Sequence, residues 1–196
     1  MFHMKQSLIL ASTSPRRQQF LRDMGLKFMA IKPERDEPQP LPGEAPADYV
    51  DRVAAHKAAD VAFRNPGHVV VAADTVVVIG QEILGKPMDE MDSLRMLALL
   101  AGKTHTVITA VQVIFPDASR AGFACSSQVR LYPWPRAVLA AYARSGESLD
   151  KAGAYAVQGK GAFLVASITG SWSNVVGLPV AELIELLLQH GLIEVC

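Results

Sequence analysis

The chain has 196 residues, half of them hydrophobic, and its 19 basic side chains are matched by 19 acidic ones. That is enough for a substantial core in a single domain and too apolar for a disordered chain. A formal net charge of zero excludes a general polyanion-binding surface, so any anion site must be local. Cys125 and Cys196 lack CxxC spacing and give neither a disulfide framework nor a zinc site, so both read as structural or incidental.

The start, MFHMKQSLILASTSP, has too short an apolar stretch for a secretory leader, and no run approaches the roughly 18 apolar residues of a membrane span. A soluble cytoplasmic protein with no membrane partner is expected. SLILA suits a buried strand; Ser14 caps a helix that Pro15 opens and Gly25 ends, and LKFMAIK reads as a second strand. The stretch PERDEPQPLPGEAP is a loop, after which ADYVDRVAAHKAADVAFRN aligns Val50, Val53, Ala54, Val61 and Ala62 on one helical face. HVVVAADTVVVIG is a β-branched strand with an acid in its middle, turning at Gly80-Gln81 into the short return EILGKP. DEMDSLRMLALLAG is a helix, THTVITAVQVIF and RAGFACSSQVRLY form a hairpin around PDAS, and PRAVLAAYAR is another helix. The tail supplies a glycine-rich loop, a strand, a further turn and a closing helix. Parallel-type and hairpin units together predict an α/β protein with a mixed sheet.

Several residues invite chemistry. In STSPRR a strand end meets a helix N-terminus, whose exposed N–H groups, with Ser12, Ser14, Arg16 and Arg17, suit phosphate oxygens. The same string also serves as a plain cap with solvated arginines. Asp74 interrupts VVVAADTVVV, where an ionised carboxylate is costly unless paired, metal-bound or at an opening in the sheet; a bulge or strand end is the alternative. Lys57, Lys86 and Lys103 sit beside small residues or glycines that let a ligand approach, or are solvated. AGKTH does not fit a P-loop, and His105 is either a base or a polar residue at a strand start. Glu34, Asp36 and Glu37 are acids able to join Asp74 around a hard cation such as Mg²⁺. Gln158, in a glycine-flanked loop, offers an amide that donates and accepts at once, as reading a nucleobase edge requires.

Taken in order, LASTSPRR, Asp36-Glu37, RVAAHKA, ADTVV, GKP, LAGKTHTVITA, DKAGAYAVQG and NVVGLP resemble the Maf family of nucleotide pyrophosphatases over nearly the whole chain. The resemblance implies one Maf-like domain over residues 1–196. Its fold would be an elongated mixed sheet with helices, in two lobes around a central cleft, of the inosine triphosphate pyrophosphatase type, and a homodimer is common. It implies metal-dependent hydrolysis, with Mg²⁺ or Mn²⁺, of a nucleoside triphosphate to monophosphate and diphosphate. Asp74 corresponds to the catalytic base and Glu37 to its metal-site partner; Ser14, Arg16, Arg17, Lys57 and Lys86 correspond to the triphosphate-binding set. Arg16, Thr75 and Gln158 are similar to the subgroup acting on dTTP and UTP, whereas Ala101, Ala110 and Ala156 depart from common Ser, Gly and Gly. Polymeric nucleic acid is not an expected partner. A link to septum formation goes with the family, and a nucleotide-binding regulator without hydrolysis is the competing class.

Overall fold

The computed structural model describes residues 1–195; the reading of Cys196 falls outside the described residues. The elements in chain order are β1 (Phe2–Met4), β2 (Leu8–Leu10), α1 (Pro15–Asp23), β3 (Phe28–Ala30), α2 (Pro46–Arg64), β4 (Val69–Ile79), β5 (Glu82–Leu84) and α3 (Glu90–Leu100). After them come β6 (Thr104–Ile114), β7 (Arg120–Leu131), α4 (Arg136–Arg144), β8 (Val165–Thr169), α5 (Trp172–Val176), α6 (Val180–Gln189) and β9 (Ile193–Val195). Two 3₁₀ turns, Ala152–Ala154 and Gly159–Leu164, lie in the glycine-rich tail. The sheet follows the order β3-β2-β4-β6-β7-β8, with β5 paired to β4; β1 and β9 form a separate antiparallel pair. Pairing is parallel for β2 with β3 and β4, and antiparallel for β4 with β5 and β7 with β8, so the sheet is mixed as the sequence predicts. No described helix is long and apolar enough to cross a membrane.

The chain divides into two compact units. The first holds Met1–Asp74, Thr109–Cys125 and the residues from Gly177 onward. Here β2 and β4 are covered on both faces, which is why their sequences are continuous apolar runs. Leu8, Leu10, Val69, Val71 and Ala73 point to one side with Leu21, Leu183 and Leu187 of α1 and α6. Ile9, Ala11, Val70 and Ala72 point to the other, against Ala58 and Val61 of α2. Each such Leu or Val buried contributes roughly 1.5–3 kcal/mol. The predicted strand LKFMAIK shrinks to Phe28–Ala30, because its partner β2 is itself only three residues long and pairs residue for residue from Leu8↔Phe28 to Leu10↔Ala30.

The second unit holds Thr75–Ile108 and Ser126–Val176, with a core that includes Val77, Leu97, Leu100, Leu131, Leu139 and Leu164. Its loop geometry depends on close backbone approach at Gly153. This residue has φ +69°, donates its N–H to the Gly85 carbonyl at 3.0 Å, and would place a Cβ 2.9–3.0 Å from the Val77 side chain. Only glycine meets both conditions without strain.

Candidate active site

The site in the first unit begins where β2 stops. The Ala11 N–H still donates to Val71 at 2.8 Å, but Ser12 turns back onto the Leu10 carbonyl, and its Oγ accepts the Ser14 N–H at 3.1 Å. Ser14 then caps α1, its Oγ accepting the Arg17 N–H at 3.5 Å, with Pro15 in the first turn. The positive end of the α1 dipole lies at this cap and favours negative charge there. Arg17 does not wave in solvent. Its Nε donates to the Gly177 carbonyl at 2.7 Å and its Nη1 to Ser12 Oγ at 3.5 Å. Burial works against the Arg17 charge, Asp74 supports it, Arg16 opposes it and Glu37 supports it.

Strand alternation decides where Asp74 goes. Val70 and Ala72 face α2, so Asp74, two residues further along β4, shares that face. From α2 the Lys57 ammonium donates to Asp74 Oδ1 at 2.6 Å and lies 2.8 Å from Glu37 Oε1. The Lys57 and Asp74 side chains are only 12% and 14% exposed, whereas Glu37 is 54% exposed on its loop. The sequence-level question about Asp74 is answered by this pairing: a buried lysine neutralises it.

Two carboxylates converging on one cationic atom are also the donor set a hard divalent ion needs, when phosphate oxygens and water complete its shell. The pair fits such an ion. No group of three or more His, Cys, Asp or Glu that would form a closed cage exists among the described residues. Glu34 does not join them: its carboxylate pairs with Arg64 at 3.0 Å and its N–H donates to Asp60 at 2.8 Å.

Tyr49 was not among the candidates. It lies eight residues before Lys57 on α2, hence on the same face. Burial raises its phenol pKa, and Asp74 and then Glu37 push it further up. The i, i+8 spacing was the available signal.

Within the second unit, Thr75 directly follows Asp74 on β4, and Lys86 is exposed in the loop after β5. Gln158 is exposed at the start of the turn Gly159–Leu164. The Gly153 to Gly85 hydrogen bond ties the loop carrying Lys86 to the glycine-rich loop carrying Gln158. His105 is 3% exposed with Nε2 2.8 Å from the Tyr155 hydroxyl, a buried polar pair in the core.

The fold and site thus define a mixed α/β protein in which a helix N-terminus with two arginines shares one unit with a lysine-bridged carboxylate pair. A family profile described as Maf-like protein matches residues 7–190, and the chain belongs to the Maf family. It is 52% identical over 187 residues to a protein of Nitratidesulfovibrio vulgaris named dTTP/UTP pyrophosphatase, covering 95% of this chain and 89% of that one. It is 44% identical to the Symbiobacterium thermophilum protein of the same name, covering 95% of each. Among solved structures, the Staphylococcus aureus Ham1 protein overlaps 65% of this chain and 73% of its own, at 13% identity and a TM-score of 0.48.

Proposed function

We propose that the protein hydrolyses dTTP and UTP to the nucleoside monophosphate and diphosphate. The observation that carries the reading is the Lys57 ammonium held between Asp74 and Glu37, 2.6 and 2.8 Å away, in the same unit as the Ser14-Arg16-Arg17 helix mouth. Similarity to proteins named for dTTP and UTP supplies the substrate class. A binding protein has little use for two carboxylates beside a polyphosphate, since like charges repel.

Ser14, Arg16 and Arg17 bind phosphate oxygens, the arginines through their planar donor forks and with the positive end of the α1 dipole behind them. Arg17, already anchored on Gly177, needs no further ordering. Lys57 turns on its four-carbon stem from Asp74 toward the phosphates, and Lys86 carries the phosphate-binding role that its GKP motif implies. Asp74 and Glu37 would hold a divalent cation, Mg²⁺ or Mn²⁺, which when bound offsets charge on the phosphate oxygens. Asp74 orients a water and takes its proton while the water oxygen bonds the α-phosphorus. The bridging bond to the β-phosphate oxygen breaks, and diphosphate leaves in line. Gln158, with Thr75, reads the pyrimidine edge.

Diphosphate release from a panel of triphosphates, with and without chelator, tests the class. Asp74→Asn is expected to lose about 10²–10⁴-fold in kcat, the range for a positioned general base. Near-native turnover by that variant overturns the assignment, and nucleotide binding without diphosphate release points to the regulator instead.

A further inference from the structure

Gln158 is exposed and extended, at φ −125° and ψ 167°, and the residue after it, Gly159, is left-handed at φ +66°. What holds the backbone turn that follows lies on another segment. The Glu147 carboxylate, just beyond α4, accepts the N–H of Lys160 on Oε1 at 2.9 Å and the N–H of Gly161 on Oε2 at 2.7 Å. Both oxygens are therefore committed to the first turn after Gln158, as an acid capping a helix start.

The backbone is shaped around that carboxylate. A Cβ on Gly159 would lie 2.4 Å from Glu147 Oε1, and one on Gly161 would lie 2.6 Å from the Tyr142 hydroxyl and 2.7 Å from the Ala156 carbonyl. The far end of the turn is fixed as well: Trp134 Nε1 donates to the Phe163 carbonyl at 3.1 Å, and the Tyr132 N–H to Leu164 at 2.8 Å. Lys151 Nζ donates to the Glu147 backbone carbonyl, so the capping residue is itself restrained.

We propose that Glu147 is a positioning residue for base selection, fixing the turn that starts at Gly159 and, through it, the direction in which the Gln158 amide points. The proposal rests on Gln158 reading the base. Replacing the carboxylate by an amide keeps one acceptor and sets an NH₂ group against the second N–H, so the turn loses its register with little change in volume.

The test compares wild type, Glu147→Gln, Gln158→Ala and the double variant for kcat and KM on dTTP and dGTP. Glu147→Gln is expected to lower the dTTP-over-dGTP preference roughly tenfold, a displacement effect. The change should fall in KM, with kcat for dTTP within about twofold of wild type, and should vanish in the Gln158→Ala background. Unchanged preference in Glu147→Gln, with Gln158→Ala altered, overturns the positioning role and leaves Gln158 in place. An unaltered preference in Gln158→Ala overturns the reading of Gln158, and the proposal with it. Amide hydrogen exchange of wild type, which needs no variant to fold, is expected to show Lys160 and Gly161 protected; fast exchange there also overturns it.

Discussion

Lys57 sets what Asp74 and Glu37 can do before any substrate arrives. An ammonium within hydrogen-bond reach of both keeps two negative groups together at a modest desolvation cost, because Glu37 stays open to water. Lys57→Met removes that cation and leaves the carboxylates facing each other. We expect a stability loss of about 1–3 kcal/mol, below the full value for a wholly buried pair. Mg²⁺ should raise Tm more in the variant than in wild type, since the freed carboxylates gain an outside partner. Differential scanning with and without 10-fold steps of Mg²⁺ reads this directly, and an equal shift in both proteins would count against a shared cation site. Asp74 was visible in the sequence as an anomaly in an apolar run. Lys57 was singled out too, but not its pairing with Asp74, because a lysine on α2 becomes that neighbour only when the helix packs on the even-numbered face of β4.

Among the elements, α1 was legible nearly to the residue: an apolar strand, Ser14 as cap, Pro15 and a glycine stop are local chemistry that tertiary structure did not override. Ser14→Ala should cost about 1 kcal/mol through the lost cap. It should also raise KM for the triphosphate, as checked by urea unfolding and initial-rate kinetics together. By contrast β1 and β9 carry no readable signal. Each is three residues long and owes its existence to a partner at the other end of the sequence, Phe2 lying opposite Val195. The turn Gly159–Leu164 was hidden for the same reason, being capped by Glu147 from a separate segment. Gly153 marks the loop tied to Gly85, just beyond β5. Gly153→Ala combines a left-handed φ with a methyl pressed on Val77, and should destabilise by about 2 kcal/mol or more, measured as a lower urea midpoint.

At the scale of the whole molecule, the buried titratable groups tilt stability toward neutral pH. Desolvation lowers the His105 pKa to about 4 from an ordinary value of 6.5. Between those values the unfolded chain binds a proton that the folded one refuses, so stability is complete above pH 6.5 and falls as pH drops toward 4. At about 1.4 kcal/mol per unit, the His105 contribution is roughly 3–4 kcal/mol. Asp60 acts in the same direction. Burial pushes its carboxyl up, but the Glu34 N–H, the Arg64 guanidinium and the Arg35 N–H hold it below the usual carboxylate range. Its stabilising share is present above the unfolded value and disappears as pH falls through the folded one. Urea unfolding from pH 7.5 to 4 should therefore show a steady decline. His105→Phe should flatten the part between 6.5 and 4, and a wild-type curve already flat there would contradict the assignment. Mixed α/β character was legible from the alternation of strand-like and helical stretches, while strand order was not, since β6 comes to lie beside β4 without any local mark.

Arg17 is held by the carbonyl of Gly177, 160 positions later in the chain. On a translating ribosome Arg17 therefore lacks this second anchor until Gly177 has itself left the exit tunnel. Nascent chains arrested short of that point should be unable to grip nucleotide well, however much of their sheet has already formed.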